Sequence, residues 1–218
     1  MRNSGSRIKR KYIWPLLTIV TAFVLLGASY ADDKDDYVSM IKRGIARQEA
    51  SDSKEAARLF KGAISTAPEQ PDAYFFLGRL NFLNKDSAAA FETLELFRER
   101  VKAPAPGDPE ERQYYAKKLQ YVSELYFTMG YYDKSKEVLD DILKTDPQDQ
   151  DAHYNLGVHY YKHERSRPKA YQEFNKAMSI NPDSDTGRAA KYAIEFMRNN
   201  PDPRIVPDFS FIDQEYSE

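Results

Sequence analysis

Residues 150–183 read QDAHYNLGVHYYKHERSRPKAYQEFNKAMSINPD. Apolar and small residues recur here at three- and four-residue steps: Leu156, Gly157 and Tyr160, then Ala170, Phe174 and Ala177. That is the period of amphipathic helices, and two of them fit before Pro182. Gly157 and Ala170 are small where two helices cross closely. Tyr160 and Phe174 fill the gaps between helices, and Pro182 stops the second helix and turns the chain.

The same spacing returns three times upstream, in blocks 37–70, 71–104 and 116–149. The first block carries Gly44, Ala56, Phe60, Ala63 and Pro68; the second Tyr74, Leu77, Gly78, Ala90 and Leu94. The third carries Tyr126, Gly130, Tyr132 and Pro147, with Ser123 and Ser135 as its small crossing residues. Block four has one extra residue in its internal turn, between Glu164 and Pro168.

Over residues 37–183 this pattern resembles the tetratricopeptide repeat, a 34-residue helix–turn–helix unit. Arg43, Arg47 and Asn81 depart from the family's usual leucine and tyrosine. Charged residues are tolerable in a first repeat, which has no predecessor to pack on. The resemblance implies an all-α fold, a right-handed superhelix (α-solenoid) of about four repeats plus a capping helix over 184–200. In that helix Ala189, Tyr192, Ala193, Phe196 and Met197 form one apolar face, with Asp185 as its cap. Between blocks two and three lies a proline-rich insertion, 105–115. Asp108-Pro109 there reads as the N-cap and first position of a long helix reaching about Met129.

Charge is unevenly placed. Residues 1–31 hold Arg2, Arg7, Lys9, Arg10 and Lys11 and no acid, although the whole chain has 32 basic and 34 acidic residues. Residues 32–218 therefore carry 27 basic against 34 acidic side chains, a net −7. The basic stretch precedes an apolar run from Ile13 to Ala28. Ser29 and Ala31 then supply the small residues of a signal-peptide cleavage site before Asp32, and 32–36 is an acidic linker. The alternative is an uncleaved anchor: sixteen helical residues span only ~24 Å, but with Tyr12 and Tyr30 at the interfaces the segment just crosses. Either way the body of the chain is expected outside the cytoplasm, periplasmic when cleaved and tied to the inner membrane when not.

The composition excludes several function classes. There is no cysteine, hence no disulfide, thiolate metal site or thiol nucleophile. At 30% charged residues the chain is not a polytopic membrane protein. A net −7 speaks against nucleic acid. No glycine-rich phosphate loop, nucleophile elbow or paired-carboxylate motif is present. His159 and His163, at i and i+4 beside Glu164, have zinc-compatible spacing, but no third ligand is placed. His153 occupies a packing position. No catalytic residue, cofactor or metal is expected.

What remains is a binding surface. The resemblance implies that the first helix of each repeat lines a concave groove. Its wall would be Phe75, Arg79, Phe82 and Leu83 in block two and Gln120, Glu124, Phe127 and Thr128 in block three. Block four would add Tyr154, Val158, Tyr161 and Lys162. The expected partner is a protein or peptide segment, met by a non-catalytic scaffold of the bacterial cell envelope, or by a membrane-anchored accessory subunit or chaperone of an envelope assembly enzyme. The tail, 201–218, is interrupted by Pro201, Pro203 and Pro207 yet carries Phe209 and Phe211. It is expected to be extended. Either it covers the capping helix near Tyr192 and Phe196, or it lies in an aromatic groove of its own chain or of a second copy, which would make a dimer.

Overall fold

Nine helices and no strand are present among the described residues, 36–103 and 109–202 of the computed structural model. The chain divides into two compact units, up to Arg100 and from Val101 onward. The first contains α1 (36–49), α2 (Ser53–Thr66), α3 (Asp72–Leu83) and α4 (Ser87–Arg100). The second contains α5 (Pro109–Thr128), α6 (Tyr132–Thr145), α7 (Gln150–Lys162), α8 (Arg167–Ile180) and α9 (Asp185–Asn199). The signal or anchor segment, the start of the acidic linker, the Asp108 cap and the tail from Pro203 lie outside the described residues.

One turn closes three of the four hairpins. After α1 the Asp52 amide donates to Arg47 O and the Ser51 amide to Gln48 O. The pairs Asp86–Asn81 with Lys85–Phe82, and Tyr131–Tyr126 with Gly130–Phe127, repeat this after α3 and α5. These are the two hydrogen bonds of a Schellman motif, whose turning residue takes a left-handed backbone. Ser51 (φ 60°), Lys85 (65°) and Gly130 (86°) do so. The residue after the turn opens the next helix: Asp52 accepts from the Glu55 amide at 3.2 Å, and Asp86 from the Ala89 amide at 3.0 Å. In the last hairpin the extra residue moves the left-handed position to Arg165 (55°), and the closing bond runs from the Ser166 amide to Tyr160 O.

Within each hairpin the crossing is set by one small residue. A Cβ on Gly44 would lie 2.4 Å from the Phe60 ring, one on Gly78 2.7 Å from Leu94, and one on Gly157 2.6 Å from Phe174. The third hairpin uses serine instead. Ser123 Oγ donates to Ser135 O at 3.1 Å and lies 2.9 Å from Ser135 Oγ.

Each unit has its own core. In the first, Tyr37, Ile41, Phe60, Leu77 and Leu80 gather around Ala56, Ala63 and Ala73. The Tyr37 hydroxyl accepts from the Ala73 amide at 3.2 Å, and burial pushes its pKa up to about 12. In the second, Tyr154, Tyr161, Phe174, Ile194 and Met197 pack with five alanines of α8 and α9.

Three local expectations are corrected. Tyr160 is only half-buried, and the ring sealed in the core is Tyr161. Ser184, not Asp185, caps α9, accepting from the Gly187 amide. The buried face of α9 is Ala189, Ala190, Ala193, Ile194 and Met197, while Tyr192 stays 40% exposed and Phe196 half-buried. α9 packs against both α7 and α8. Close approach on two sides favours alanines, so the aromatics sit at the edge.

Candidate functional site

α5 and α7, the first helices of the second unit's two hairpins, supply most of the residues of the candidate site, and α6 adds Ser135 and Leu139. α7 starts where it does because Asp149 caps it, accepting from the Ala152 amide at 2.7 Å. The same carboxylate accepts from Gln120 Nε2 at 2.8 Å, which ties α5 to the start of α7. Burial raises the Asp149 pKa, opposed by these two hydrogen bonds.

Between the helices lies a cavity of about 200 Å³. Gln120, Glu124, Phe127 and Thr128 contribute to it from α5, and Tyr154, Val158 and Lys162 from α7. Seven of the eight wall residues expected in blocks three and four thus meet around one space. The eighth, Tyr161, is 2% exposed and turned into the core against α8 and α9. Sequence reasoning did not place Tyr121, Ser123, Ser135, Leu139, Asp151 or Asn155, which complete the lining. Asp151 lies three residues before Tyr154 on α7, a spacing that puts both on one helix face. Ser123 and Ser135 are both the small crossing residues of their hairpin and part of the lining.

The first unit differs. Phe75 is 8% exposed and packs edge-on to Phe76 and against Phe97, with ring centroids 5.4 and 5.6 Å apart. It belongs to the interior rather than to a wall. Arg79 and Phe82 are half-buried, and Leu83 is 52% exposed.

The histidines are placed by packing. His153 is clamped between Glu173 Oε2 (2.7 Å from Nδ1) and Pro147 O (3.1 Å from Nε2). Burial pushes Glu173 up, but hydrogen bonds from His153 and Lys176 outweigh it and hold the carboxyl below its usual range. His159 is 2% exposed, and its Nδ1 has no hydrogen-bond partner among the described residues. Burial and the nearby charge of His163 lower its pKa. Its ring meets Phe127, a cavity residue, edge-on at 5.9 Å, while His163 stacks on Tyr132 at 3.9 Å. Among the described residues no three His, Asp or Glu side chains gather as a metal would need.

A sequence profile of the tetratricopeptide repeat matches residues 41–109 and 123–185. No curated protein matches the chain. Among solved structures, one titled for the functional characterization of Pseudomonas aeruginosa pilF superposes with a TM-score of 0.61 at 13% identity, covering 79% of this chain and 73% of that one. A tetratricopeptide repeat protein from Parabacteroides merdae gives 0.60 at 20% identity, covering 78% and 62%. The MamA protein gives 0.53 at 19% identity, covering 81% and 82%. At these identities the likeness speaks for the fold.

Proposed function

The chain belongs to the tetratricopeptide repeat family, and from that premise we propose that it is an exported, non-catalytic scaffold that binds an extended polypeptide segment along the α5–α7 face of its second unit. Proteins of this fold generally act as interaction scaffolds, using the surface that stacked helical hairpins leave open. The observation that carries the reading is the cavity of about 200 Å³, where apolar, amide and charged side chains of α5 and α7 converge. A mixed lining of this kind suits a peptide: apolar walls seat an anchor side chain, and amides bond its backbone. Phe127 and Val158 supply the apolar wall, Gln120 and Asn155 the amides, and Lys162 a cation.

Export rests on a different part of the chain. Five basic residues followed by the apolar run 13–28 and the small residues Ser29 and Ala31 support passage into the periplasm of a bacterial envelope.

Photo-crosslinking in the native host tests the groove. A benzophenone amino acid at Asn155, half-buried in the cavity lining, should capture a defined polypeptide. The same group at Gln172, exposed on α8, should not. Equal capture from both positions, or none from Asn155, overturns the reading.

A further inference from the structure

The outer side of α9 is a stripe. Arg188, Tyr192, Glu195 and Asn199 follow one another at steps of four, three and four residues, all exposed and opposite the buried Ala190, Ile194 and Met197. Phe196 borders the stripe, its ring centroid 6.1 Å from that of Tyr192. Lys191 and Arg198 flank the other border.

This is the side on which α7 receives its hairpin partner. Tyr192 stands eight residues after the Ser184 cap, as Gly157 stands eight after the Asp149 cap. At Gly157 the Phe174 ring of α8 comes so close that a Cβ would lie 2.6 Å from it. A tyrosine at the same offset closes that approach, so a second helix cannot cross α9 as α8 crosses α7. An extended segment can lie there, because it needs less depth than a helix about 10 Å across and its side chains pass to either side of the ring.

The chain holds such a segment. α9 ends at Asn199, and the Arg167 guanidinium donates to Asn200 O at 2.7 Å and to Met197 O, which fixes where the chain leaves the helix. Pro201 and Pro203 prevent α9 from continuing. Doubling back from Asn199 to Arg188 covers ~17 Å of helix, about five extended residues, and residues 203–218 are long enough. Phe209 and Phe211, two apart, point to the same side of an extended chain. Charge picks this surface over the α5–α7 cavity. Residues 203–218 hold four acids, Asp208, Asp213, Glu215 and Glu218, and one base, Arg204. The α9 edge offers Arg188, Lys191 and Arg198 against Asp185 and Glu195, whereas the cavity lining offers Glu124 and Asp151 against Lys162. We propose that residues 204–212 of this chain lie extended along the outer stripe of α9, with Phe209 and Phe211 against Tyr192 and Phe196. The chain's own tail then covers its last helix and leaves the α5–α7 cavity free for a partner.

The test places a nitroxide spin label on the tail of the full chain and reads amide NMR signals. The natural sequence has no cysteine, so Ser210→Cys takes a single label. The amides of Tyr192 and Glu195 should broaden beyond detection, while those of Glu124 and Phe127 keep their intensity. A label at Gln214→Cys should pick out the same helix, which guards against a label that itself displaces the segment. Phe209→Ser with Phe211→Ser in the labelled chain should restore the Tyr192 and Glu195 signals. Broadening at Glu124 and Phe127 instead would put the tail in the cavity and overturn the proposal, as would no selective broadening from either label, or signals that stay lost in the double serine variant. Mixing a spin-labelled copy with an isotope-labelled, cysteine-free copy should broaden nothing; loss of the Tyr192 and Glu195 signals in that mixture would make the occupant a second copy and overturn the proposal as well.

Discussion

A single residue decides each hairpin, in two different ways. Gly157 is defined by what a side chain would hit, since its Cβ would sit 2.6 Å from Phe174. Gly157→Leu should therefore overpack the crossing and cost ~1–3 kcal/mol. Phe174→Ala, which empties the other half of the contact, should cost ~3–5 kcal/mol. Thermal melts with neither variant destabilised would refute this account of the crossing. Gly130 is the opposite case: a Cβ there would meet nothing within 4 Å, but φ is 86°. Gly130→Ala should still cost about 1 kcal/mol, purely through the backbone. Lys85 occupies the equivalent turn at φ 65° with a side chain attached, so Lys85→Gly should raise the melting temperature by a degree or more. Opposite signs for these two substitutions are the check. The crossing glycines are legible in the sequence because they recur sixteen or seventeen residues before Phe60, Leu94 and Phe174. The turns are not, because Ser51, Lys85 and Arg165 hide a left-handed conformation behind ordinary side chains.

At the scale of the helix, α7 joins the cavity to the protein's response to acid. His159 lies on α7 with Phe127 of α5, Asp133 and Lys136 of α6, the adjacent Tyr160, and His163 and Glu164 just past the helix end around it. Burial and His163 lower its pKa below the ordinary 6.5. Folding thus favours the neutral imidazole. Its contribution to stability is complete above pH 6.5 and is lost as pH falls through the depressed folded value, because the unfolded chain takes up the proton first. Glu173, on α8, is also depressed, but its contribution is lost only below the carboxylate value of 4.5. Urea melts should therefore show a first loss of stability just below pH 6.5 that His159→Phe removes and Glu173→Gln leaves in place. A first loss that survives His159→Phe would assign it elsewhere. The sequence marked His159 only as a zinc-spaced residue, since nothing in an i, i+4 pair reveals burial against Phe127. The buried face of α9 departs from the sequence pattern for a related reason. Its large aromatics, Tyr192 and Phe196, suggested the core face, but a helix wedged against two others buries its alanines. The α5–α7 wall was largely legible because one-sided helix positions follow the repeat frame. The frame failed at Phe75, which the contact with Phe97 draws inward.

For the whole molecule, the charge distribution bears on where it works. The full chain has a net charge of −2, but residues 32–218 alone stand at −7. All five cations that make the difference lie ahead of the apolar run 13–28. Among the described residues no helix is long and apolar enough to cross a membrane. Cleavage before Asp32 would release an acidic domain into the periplasm; retention would hold the same domain at the inner membrane. The two outcomes differ at a single peptide bond. N-terminal sequencing of the protein from its native host should begin at Asp32. Ala31→Leu should block processing, because the small-residue requirement falls on this position and on Ser29, and it should shift the protein from the soluble to the membrane fraction. A native chain that begins at Met1 or Arg2 would make residues 12–30 an anchor. The groove would then work at the membrane surface, the position an accessory subunit needs to present a bound segment to a neighbouring enzyme.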